Sequence, residues 1–452
     1  MRPENIRNGI RKLKSYGERN GPEALFFRLV EGAGEILENR KYSLERERSL
    51  PAVSLKKMET EGPLVSVVIP VCDPDPDHFA HLLDSLILQT YANFEVVIAD
   101  GSRNELAERV VEAYREDPGT GFRIIYKRLE ENLGISGNTN EALKAAAGEY
   151  VSFVDQDDLL EPDALYETVQ RIKDGALMVY TDEDKYDSLT ESFLTPNRKP
   201  DFDLDLLLSN NYISHLLTVK RSKVEEAGGF RSEFDGAQDH DLLLRLSRVL
   251  PRESIAHVDR VLYHWRLSPS STAGNPESKL YAYDSGKRAV EAYFRERGIN
   301  ASVQDTAHRG FFHPDYSSLS VSRDKYLLFV DRRLEPLEPG FEKMMAGYFS
   351  RAEVGIVGAR IIGRTGRTVY NGYKLSENGE MVPEYGKIDH RFSGYMHRAS
   401  MARETEAVSI HAFAVRSSLK ELISGDTFSM CDKIRKRGFS VIVDPRIIFR
   451  IK

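Results

Sequence analysis

The sequence predicts an α/β fold with a mostly parallel sheet flanked by helices. Short apolar segments rich in β-branched residues alternate with segments of helical spacing between Pro63 and Asp155. Parallel strands need a crossover, usually a helix, so this alternation is typical of βαβ units. The 452 residues allow about three folding units, at roughly 150 residues each. Residues 1–60 lack strand patterning and predict a helical segment ahead of the sheet.

Composition narrows the class of protein. Hydrophobic residues make up 41% and charged residues 29%, the balance of a globular chain. The 63 basic and 70 acidic residues give a net charge of -7, which argues against a surface that binds nucleic acid as a whole. Two cysteines, Cys72 and Cys431, exclude a disulfide scaffold and a cysteine-ligated zinc site. We therefore expect a protein of the reducing cytoplasm.

The N-terminal segment leaves two interpretations open. Ile6, Ile10 and Leu13 fall at helical spacing among the basic residues between Arg7 and Lys14. The segment is either a helix packed on the main domain or a basic amphipathic helix resting on an anionic membrane, and we favour the first. No apolar stretch reaches the roughly 18 residues of a membrane span, and the N-terminus lacks the apolar core of a secretory signal.

The elements of the sheet follow in order after Pro63. We predict strands at Val65–Pro70, Phe94–Asp100, Phe122–Tyr126 and Tyr150–Asp155. We predict helices at His81–Gln89, Glu105–Glu116 and Asn138–Ala147. Ligands of parallel sheets bind beyond the carboxyl ends of the strands. Asp100 and Asp155 both stand there, each where an apolar strand ends.

An acidic cluster follows the fourth strand. Asp155-Gln156-Asp157-Asp158 has a structural interpretation, in which a turn leads into an N-cap of a helix beginning near Leu159. It also has a functional one, since carboxylates spaced one residue apart can bind Mg²⁺ or Mn²⁺, which neutralises a diphosphate. The pattern alone does not separate the two.

Two later segments carry further candidates. Asp239 stands at the start of an apolar helix, where it is either an N-cap or a general base that accepts a proton from an attacking hydroxyl. His264 and Arg266 precede the serine-rich segment that contains Ser271. A single histidine is more often a structural group than a ligand. Together with the acidic cluster, these residues suit a site where a metal and basic groups hold a nucleotide diphosphate and a base activates an acceptor.

The motifs resemble, in order, those of the family 2 glycosyltransferases, which have the GT-A fold. The resemblance runs from Pro63 to Ala273 and rests on Val65–Pro70, Asp100–Ser102, Asn132–Ser136, Asn138–Leu143, Gly148–Tyr150 and Asp155–Asp158. Four further motifs look like a branch that builds bacterial surface polysaccharides such as O-antigens, rhamnans and capsules. They are Tyr180–Lys185, Lys199–Asp201, Asn211–His215 and Tyr263–Arg266.

The resemblance implies a role for each matching position. The residues it assigns to the nucleotide sugar are Pro70, Val71, Asp100, Asn138, Asp155, Gln156, Arg266 and Ser271, with Arg266 and Ser271 on the diphosphate. Asp157 and His264 would bind Mn²⁺ or Mg²⁺. Asp239 would be the base of an inverting transfer to a glycan hydroxyl. The acceptor would be lipid-linked, which implies a peripheral position at the cytoplasmic face of the bacterial inner membrane, with no nucleic-acid partner.

The second half of the chain echoes the first. Tyr326–Asp331 resembles Tyr150–Asp155, and His411–Ser417 resembles His215–Arg221, in the same order. Where the first copy has its acidic cluster, the second has Asp331-Arg332-Arg333, and cations do not bind a metal. We therefore expect an N-terminal helical segment (1–60), a catalytic domain (61–275), a helical linker (276–315) and a degenerate partial copy (316–452). The partial copy could bind the acceptor, form an interface with a second copy of the chain or with an assembly partner, or stabilise the structure.

Two other functions compete with the transferase. A non-catalytic sugar-nucleotide or glycan-binding subunit would have no chemical need for Asp155, Asp157 and Asp239, which the first copy keeps. A nucleotidyltransferase would be expected to carry a glycine-rich and basic phosphate loop near the first strand, and Pro70-Val71-Cys72-Asp73-Pro74 is not one.

Overall fold

The computed structural model describes residues 3–49, 60–267, 280–376, 378–423 and 425–452. Over these residues the chain divides into two compact units. The central unit comprises Glu35–Phe202 and Asn211–Ala289, and the terminal unit comprises Met1–Gly34, Asp203–Asn210 and Val290–Lys452. The central unit is wider than the predicted domain 61–275, and the segment 203–210 inside that range belongs to the other unit.

The first helix, α1 (Pro3–Ser49), contributes to both units. It is broken at Gly21, whose φ of 85° only glycine adopts readily, and Pro22 follows. The side chains of residues 1–12 lie outside the described part of the chain, so the basic segment between Arg7 and Lys14 stays a prediction. No helix in the described ranges has an apolar stretch of the length needed to span a bilayer.

The described residues of the central unit form nine strands and most of the helices of the first half. Its strands are β1 (Val65–Val71), β2 (Phe94–Asp100), β3 (Arg123–Arg128), β4 (Tyr150–Phe153), β5 (Leu159–Leu160), β6 (Met178–Asp187), β7 (Ser192–Asn197), β8 (Leu217–Lys220) and β9 (Ile255–Arg266). Its helices are α2 (Pro76–Ile87), α3 (Leu106–Glu116), α4 (Gly134–Ala145), α5 (Ala164–Lys173), α7 (Arg221–Glu226) and α8 (Gln238–Val249). Helix α6 (Leu204–Ser209) belongs to the terminal unit.

These strands form one sheet, in the order β3-β2-β1-β4-β8-β6-β9-β5 with β7 beside β6. Strands β1 to β4 are mutually parallel, as predicted, whereas β8 runs antiparallel to both β4 and β6. The sheet is therefore parallel at the end that the βαβ pattern covers and mixed beyond β4.

The side chains of β1 and α2 account for the structure of the first βα unit. Strand β1 is apolar and buried on both faces, which suits the middle of a sheet covered by helices. Helix α2 begins where Asp75 accepts the backbone N–H groups of Asp77 and His78, each at 3.1 Å, and Pro76 occupies its first position. The chain thus turns sharply at the carboxyl end of β1, which leaves that edge open for a site.

The terminal unit contains the remaining elements. Its strands are β10 (Ser302–Asp305), β11 (Phe312–Asp315), β12 (Tyr326–Val330), β13 (Leu334–Pro336), β14 (Val354–Ile362), β15 (Thr368–Tyr370), β16 (Tyr373–Leu375), β17 (Met381–Pro383), β18 (Arg403–Glu404), β19 (Ala412–Arg416) and β20 (Ser440–Ile451). Helix α9 (Leu280–Glu296) spans the end of the central unit and the start of this one, and α10 (Phe341–Gly347) and α11 (Thr427–Lys436) follow. In the described part of the predicted linker, 280–315, helix α9 is followed by the antiparallel hairpin of β10 and β11, where the prediction had a helical segment.

Five strands of the terminal unit repeat the order of five in the central unit. The order β12-β19-β14-β20-β13 corresponds to β4-β8-β6-β9-β5, and the neighbouring pairs have the same relative directions. Tyr326 pairs with Arg416 as Tyr150 pairs with Lys220, which is the register that the two sequence matches imply. Strands β1 to β3 have no counterpart in the described part of this second sheet.

Candidate active site

Several of the predicted site residues lie at the carboxyl edge of the parallel strands. Val71, the last residue of β1, lies opposite Asp100, the last residue of β2. Strand β4 pairs with β1 on its other side, with Phe153 opposite Val68, so Asp155 emerges at the same edge. The parallel register therefore brings together groups that stand far apart in the sequence.

A cleft that is open to solvent is lined by both Asp155 and Asp239. The residues that line it are Pro70, Ile135, Thr139, Phe153, Val154, Asp155, Ser214, His215, Leu217, Phe230, Gln238 and Asp239. Most of the lining is apolar, and the two carboxylates are its acidic groups. This combination is typical of a small-molecule site with a few orienting polar groups.

Asp239 is not the N-cap of its helix. That position belongs to Ala237, and Asp239 lies in the first turn of α8. The side-chain amide of Asn211 donates to its Oδ2 at 2.8 Å. Asn211 in turn accepts the backbone N–H of Ser214 at 3.3 Å, so the carboxylate is fixed by the segment 211–215. The structural interpretation of Asp239 as a cap is thus wrong, and its carboxylate faces the cleft.

The acidic cluster is likewise not a helix cap. Leu159 and Leu160 form strand β5, and α5 begins only at Ala164, after Asp163. The helix predicted directly after the cluster is therefore wrong, because β5 pairs with β9 before the chain turns. Asp155 and Asp157 are partly exposed at this turn.

Asp158, the last residue of the cluster, has a structural role that the sequence did not reveal. It is fully buried, and it accepts the Tyr263 hydroxyl and the backbone N–H of Arg266, the latter at 2.8 Å. Burial, followed by the neighbouring charges of Asp157 and Asp155, raises the pKa of Asp158 well above its usual range. Asp158 therefore connects strand β9 to the acidic turn through these hydrogen bonds. Asp155 and Asp157 of the same turn are partly exposed to solvent.

His215 is the cleft residue whose role the sequence left unassigned. Its Nε2 lies 3.7 Å from Oδ2 of Asp155, and its ring stacks on Tyr263 with centroids 4.7 Å apart. Its Nδ1 is buried and has no hydrogen-bond partner among the described residues. The sequence motif Asn211–His215 flagged the segment, but only the fold shows that its two ends contact Asp239 and Asp155.

Asp100 is held by the chain's own groups. Its buried carboxylate accepts the Tyr126 hydroxyl at 2.6 Å, Arg128 Nη1 at 2.8 Å and the backbone N–H of Ser102 at 2.7 Å. In this arrangement Asp100 orders the loop after β2. Its predicted contact with the nucleotide stays a prediction.

Asn138 and Gln156 also bind the loops at this edge. The Asn138 amide donates to the carbonyl of Val71 at 3.3 Å and to Asn132 at 3.1 Å. The Gln156 amide accepts the N–H of Cys72 at 2.8 Å and donates to its carbonyl at 3.2 Å. Both side chains hold the turn after β1 in place, next to Pro70 and Val71.

Arg266 lies beside Asp157. Its Nε donates to the Asp157 carbonyl and its Nη1 to Ser188 Oγ at 2.6 Å, while its guanidinium sits 5.2 Å from the Tyr186 ring. The residue is 1% exposed, yet Nη2 has no hydrogen-bond partner among the described residues. A buried guanidinium N–H without an acceptor is costly, so this atom is suited to an anionic ligand. Ser271, its predicted partner on the diphosphate, lies outside the described residues.

His264 lies in a buried network of charges. Its Nδ1 is 2.6 Å from Asp184 and its Nε2 is 3.0 Å from Glu161, which also binds Arg46. Burial would lower the pKa of His264, but Asp184 and Glu161 raise it. The same contacts with His264 and Arg46 lower the pKa of Glu161 to about 2, against its burial. Both ring nitrogens thus face carboxylates, and the metal role of His264 stays a prediction.

The carboxylates of Asp155 and Asp157 suit a hard cation that is also bound by the phosphates of a substrate. In the described ranges, the groups of three His, Asp or Glu whose ligand atoms lie within 4.8 Å of one another do not include Asp155, Asp157 or His264. A closed protein cage is therefore not formed there. Mg²⁺ is commonly bound by one or two carboxylates together with substrate phosphates, and Asp155 and Asp157 fit that arrangement.

Comparisons with known proteins find similarity over the part of the chain that contains the acidic turn. Residues 66–225 match the family described as Glycosyl transferase family 2. Over 238 residues the chain is 41% identical to "Uncharacterized protein y4gI" of Sinorhizobium fredii, which covers 51% of this chain and 25% of that protein. It is 33% identical to "O-antigen biosynthesis protein RfbC" of Myxococcus xanthus over 54% of this chain and 19% of that protein.

Among solved structures, the mannosyltransferase PcManGT from Pyrobaculum calidifontis, in complex with GDP-Man and Mn²⁺, matches with a TM-score of 0.41 at 18% identity. That match covers 60% of this chain and 78% of the other. The two curated relatives are much longer, and this chain spans a quarter of their length or less. The family match covers β1 to β8 and the acidic turn and ends before Asp239 of α8, so residues 66–225 form a domain similar to the family 2 glycosyltransferases.

Proposed function

We propose that the central unit transfers a sugar from a nucleotide-diphosphate sugar to a hydroxyl of a glycan acceptor, with inversion at the anomeric carbon. The observation that carries the proposal is the shared cleft, in which Asp155 of the acidic turn and Asp239 of α8 line the same space. An inverting displacement needs a base on the acceptor side and a charged site on the diphosphate side.

The residues divide into these two tasks. Asp155 and Asp157 would hold Mg²⁺ or Mn²⁺ with the donor diphosphate, and the ion would neutralise the leaving group. Arg266 offers Nη2, which no described residue binds, to a phosphate oxygen beside Asp157. Asp239 accepts the proton of the attacking hydroxyl at Oδ1 or Oδ2, and Asn211 fixes the direction of that carboxylate.

The acceptor we infer is a glycan of a bacterial surface polysaccharide, attached to a lipid carrier at the cytoplasmic face of the inner membrane. The support is the similarity to an O-antigen biosynthesis protein over the same half of the chain. A subunit that binds sugar nucleotides without turnover is the competing function. Release of nucleoside diphosphate from a panel of UDP-, dTDP- and GDP-sugars, with a glycan acceptor and Mn²⁺ or Mg²⁺, distinguishes the two. Release that depends on the acceptor supports the transferase, and binding without release supports the other.

Replacing Asn211 by alanine is expected to lower kcat about 10- to 100-fold while leaving the KM for the donor unchanged. The reason is that Asn211 holds the Asp239 carboxylate but lies outside the diphosphate side of the site, and misplaced catalytic groups cost rate rather than ground-state binding. Steady-state kinetics with Ser214→Ala as the matched control in the same segment checks this. A proportional rise in the donor KM would remove Asn211 from this positioning role.

We propose that the terminal unit is a partial copy of the transferase sheet that does not catalyse sugar transfer. Asp331, which follows β12 as Asp155 follows β4, is bound by Arg333 at 2.6 Å and by His411 at 3.2 Å. Helix α11, which precedes β20 as α8 precedes β9, is capped by Asp426, which accepts two backbone N–H groups at 2.9 Å. Both acidic groups are therefore engaged in structural contacts, which supports a role in binding or assembly.

A further inference from the structure

Strand β12 stands at one end of the sheet of the terminal unit, and one of its two edges is unpaired. In the described part of the chain, β19 is the strand that pairs with it. Its counterpart in the central unit, β4, is paired on both sides, by β8 and by β1. An unpaired edge offers a row of backbone N–H and C=O groups to a further strand.

The residues of β12 lack the features that usually block such pairing. The strand Tyr326–Val330 contains no charge and no proline, and its register with β19 has no bulge. Phe329 is 38% exposed and Val330 is 37% exposed. The charges stand outside the strand, in Arg323–Lys325 before it and in Asp331–Arg333 after it. An apolar edge between two charged segments favours pairing with a specific strand.

A hydrogen bond to β19 shows which backbone groups of β12 point to the open edge. The N–H of Asp331 donates to the carbonyl of His411 at 2.8 Å, which continues the register of the two strands. Backbone groups alternate between the two edges of an antiparallel strand, so every second residue before Asp331 also faces β19. The N–H and C=O groups of Tyr326, Leu328 and Val330 therefore point to the open edge.

We propose that two copies of the chain associate through antiparallel pairing of their β12 strands. With Leu328 opposite itself on a two-fold axis, Tyr326 lies opposite Val330 of the second copy, and all three outward-facing residues form hydrogen-bonded pairs. A shift by two residues in either direction loses one of these pairs. The carbonyl of Tyr326 accepts Nη1 of Arg323 at 3.1 Å and would exchange that bond for the N–H of Val330.

The same register gives each exposed apolar side chain of β12 an apolar neighbour. Phe329 stacks on Phe413 of β19, with ring centroids 4.8 Å apart, and would meet Leu327 of the second copy on its other side. Val330 would lie beside the buried Tyr326. Aromatic and aliphatic side chains directly opposite each other stabilise a pair of antiparallel strands. The edge is thus complementary to a second copy of itself, as a two-fold interface requires.

The charges that flank β12 select the same occupant. Continued past the ends of the strands, the register brings Asp324 near Arg332 of the second copy and Lys325 near Asp331. The side chains of Asp324, Lys325 and Arg332 are exposed. Opposite charges on facing strands attract, and like charges there are destabilising. This interface lies in the terminal unit and does not rest on the proposed sugar transfer.

Analytical ultracentrifugation of the full chain tests the pairing. The wild type is expected to dimerise with a dissociation constant of roughly micromolar order, as suits a small interface. Arg332→Glu and Asp324→Lys each place like charges together twice in a dimer, and each should weaken dimerisation by roughly tenfold or more. Mixed together, the two variants should form a heterodimer, because each exchanged charge then meets its opposite. Lys433→Glu, on helix α11, which packs against β14 and β20, is the matched control and should dimerise like the wild type.

Crosslinking with a short bifunctional thiol reagent tests the register. In a Cys72→Ser background, where the buried Cys431 remains, Leu328→Cys should be linked between copies, because residue 328 lies about 5.5 Å from its own copy. Val330→Cys should not be linked, because its two copies lie four residues apart along the strands, about 14 Å.

Three results would overturn the proposal. They are a wild type that stays monomeric up to about 100 µM, charge variants that dimerise as the wild type does, and a mixture of the two variants that forms no heterodimer. Linkage through Val330→Cys in preference to Leu328→Cys would contradict the register. Because recovery in the mixture requires both variants to be folded, this result separates a lost interface from a lost fold.

Discussion

Asp239→Asn is expected to lower kcat by about three orders of magnitude while the affinity for the donor stays within about twofold. A general base typically contributes 10²–10⁴-fold, and asparagine cannot accept the acceptor proton. The exchange preserves the size of the side chain, and its amide oxygen can still accept from Asn211, which now donates at 2.8 Å. Loss of activity should therefore come from chemistry and not from a rearranged cleft.

The measurement is single-turnover transfer of a labelled sugar, with donor affinity determined separately by calorimetry. Gln238→Ala is the matched control, because Gln238 precedes Asp239 and also lines the cleft without carrying a carboxylate. Turnover close to wild type in Asp239→Asn would mean that another group takes the proton. A large loss of donor affinity would place Asp239 on the diphosphate side instead.

Lys199→Met is expected to reduce the free energy of unfolding by about 3–5 kcal/mol, the usual cost of breaking a buried ion pair from one side. The Lys199 side chain is fully buried, and its ammonium lies 3.1 Å from Glu183 and donates to the carbonyls of Ile213 and His215. Methionine fills similar space but leaves the Glu183 carboxylate buried without its cation. The segment 211–215, which carries Asn211 and His215, loses two hydrogen bonds in the same step.

Denaturant unfolding of the full chain checks this prediction. The double variant Lys199→Met with Glu183→Gln should regain part of the lost stability, because the amide removes the unpaired buried charge. The recovery is expected to be partial, because Asn197 donates to Oε1 of Glu183 at 3.1 Å and the His215 N–H donates to Oε2 at 3.2 Å, and glutamine keeps only one of these acceptor oxygens. A single variant within about 1 kcal/mol of the wild type, the range of an exposed pair, would show that Lys199 is not an anchor of the segment.

The parallel half of the fold could be predicted because its signals are local. Strand β2 has the predicted limits Phe94–Asp100, and β1 and β4 begin at the predicted Val65 and Tyr150. Each strand is a short run of β-branched residues bounded by a turn, and each ends where the site begins. The positions of Asp100 and Asp155 followed from that rule alone.

The contacts that organise the site were not predictable, because they join segments distant in the sequence. Asp155, Asp157 and Asp158 look alike in the sequence, yet only Asp158 is buried, because Tyr263 and Arg266 of β9 bind it. In the same way, the partners of His264 come from β6 and from the turn after β5. The sequence identified which residue types the site contains. The contacts made by the mixed half of the sheet determine which of these side chains remain available to bind a ligand.

The repeated sheet of the terminal unit also has features that the sequence predicted and one that it did not. The sequence matches at Tyr326 and His411 predicted which strands pair, and the register agrees. The sequence also matches Leu337–Pro339 to Leu160–Pro162, but the strands are displaced by one residue from this match, because Leu337 takes the place of Glu161 and not of Leu160. Leu337 donates its N–H to β20 as Glu161 donates to β9. A short apolar motif cannot fix a register that the neighbouring strand determines.

The most direct test of the central claim is calorimetric titration of the full chain with UDP, dTDP and GDP, each with and without Mn²⁺. The acidic turn with Asp155 and Asp157 is expected to bind one of these nucleotides at one per chain, only when the ion is present. Asp157→Ala should weaken that binding at least tenfold, while Asp331→Ala, the matched aspartate of the terminal unit, should leave it unchanged. Binding that ignores both the ion and Asp157, or that is lost in Asp331→Ala, would contradict the assignment of the donor site.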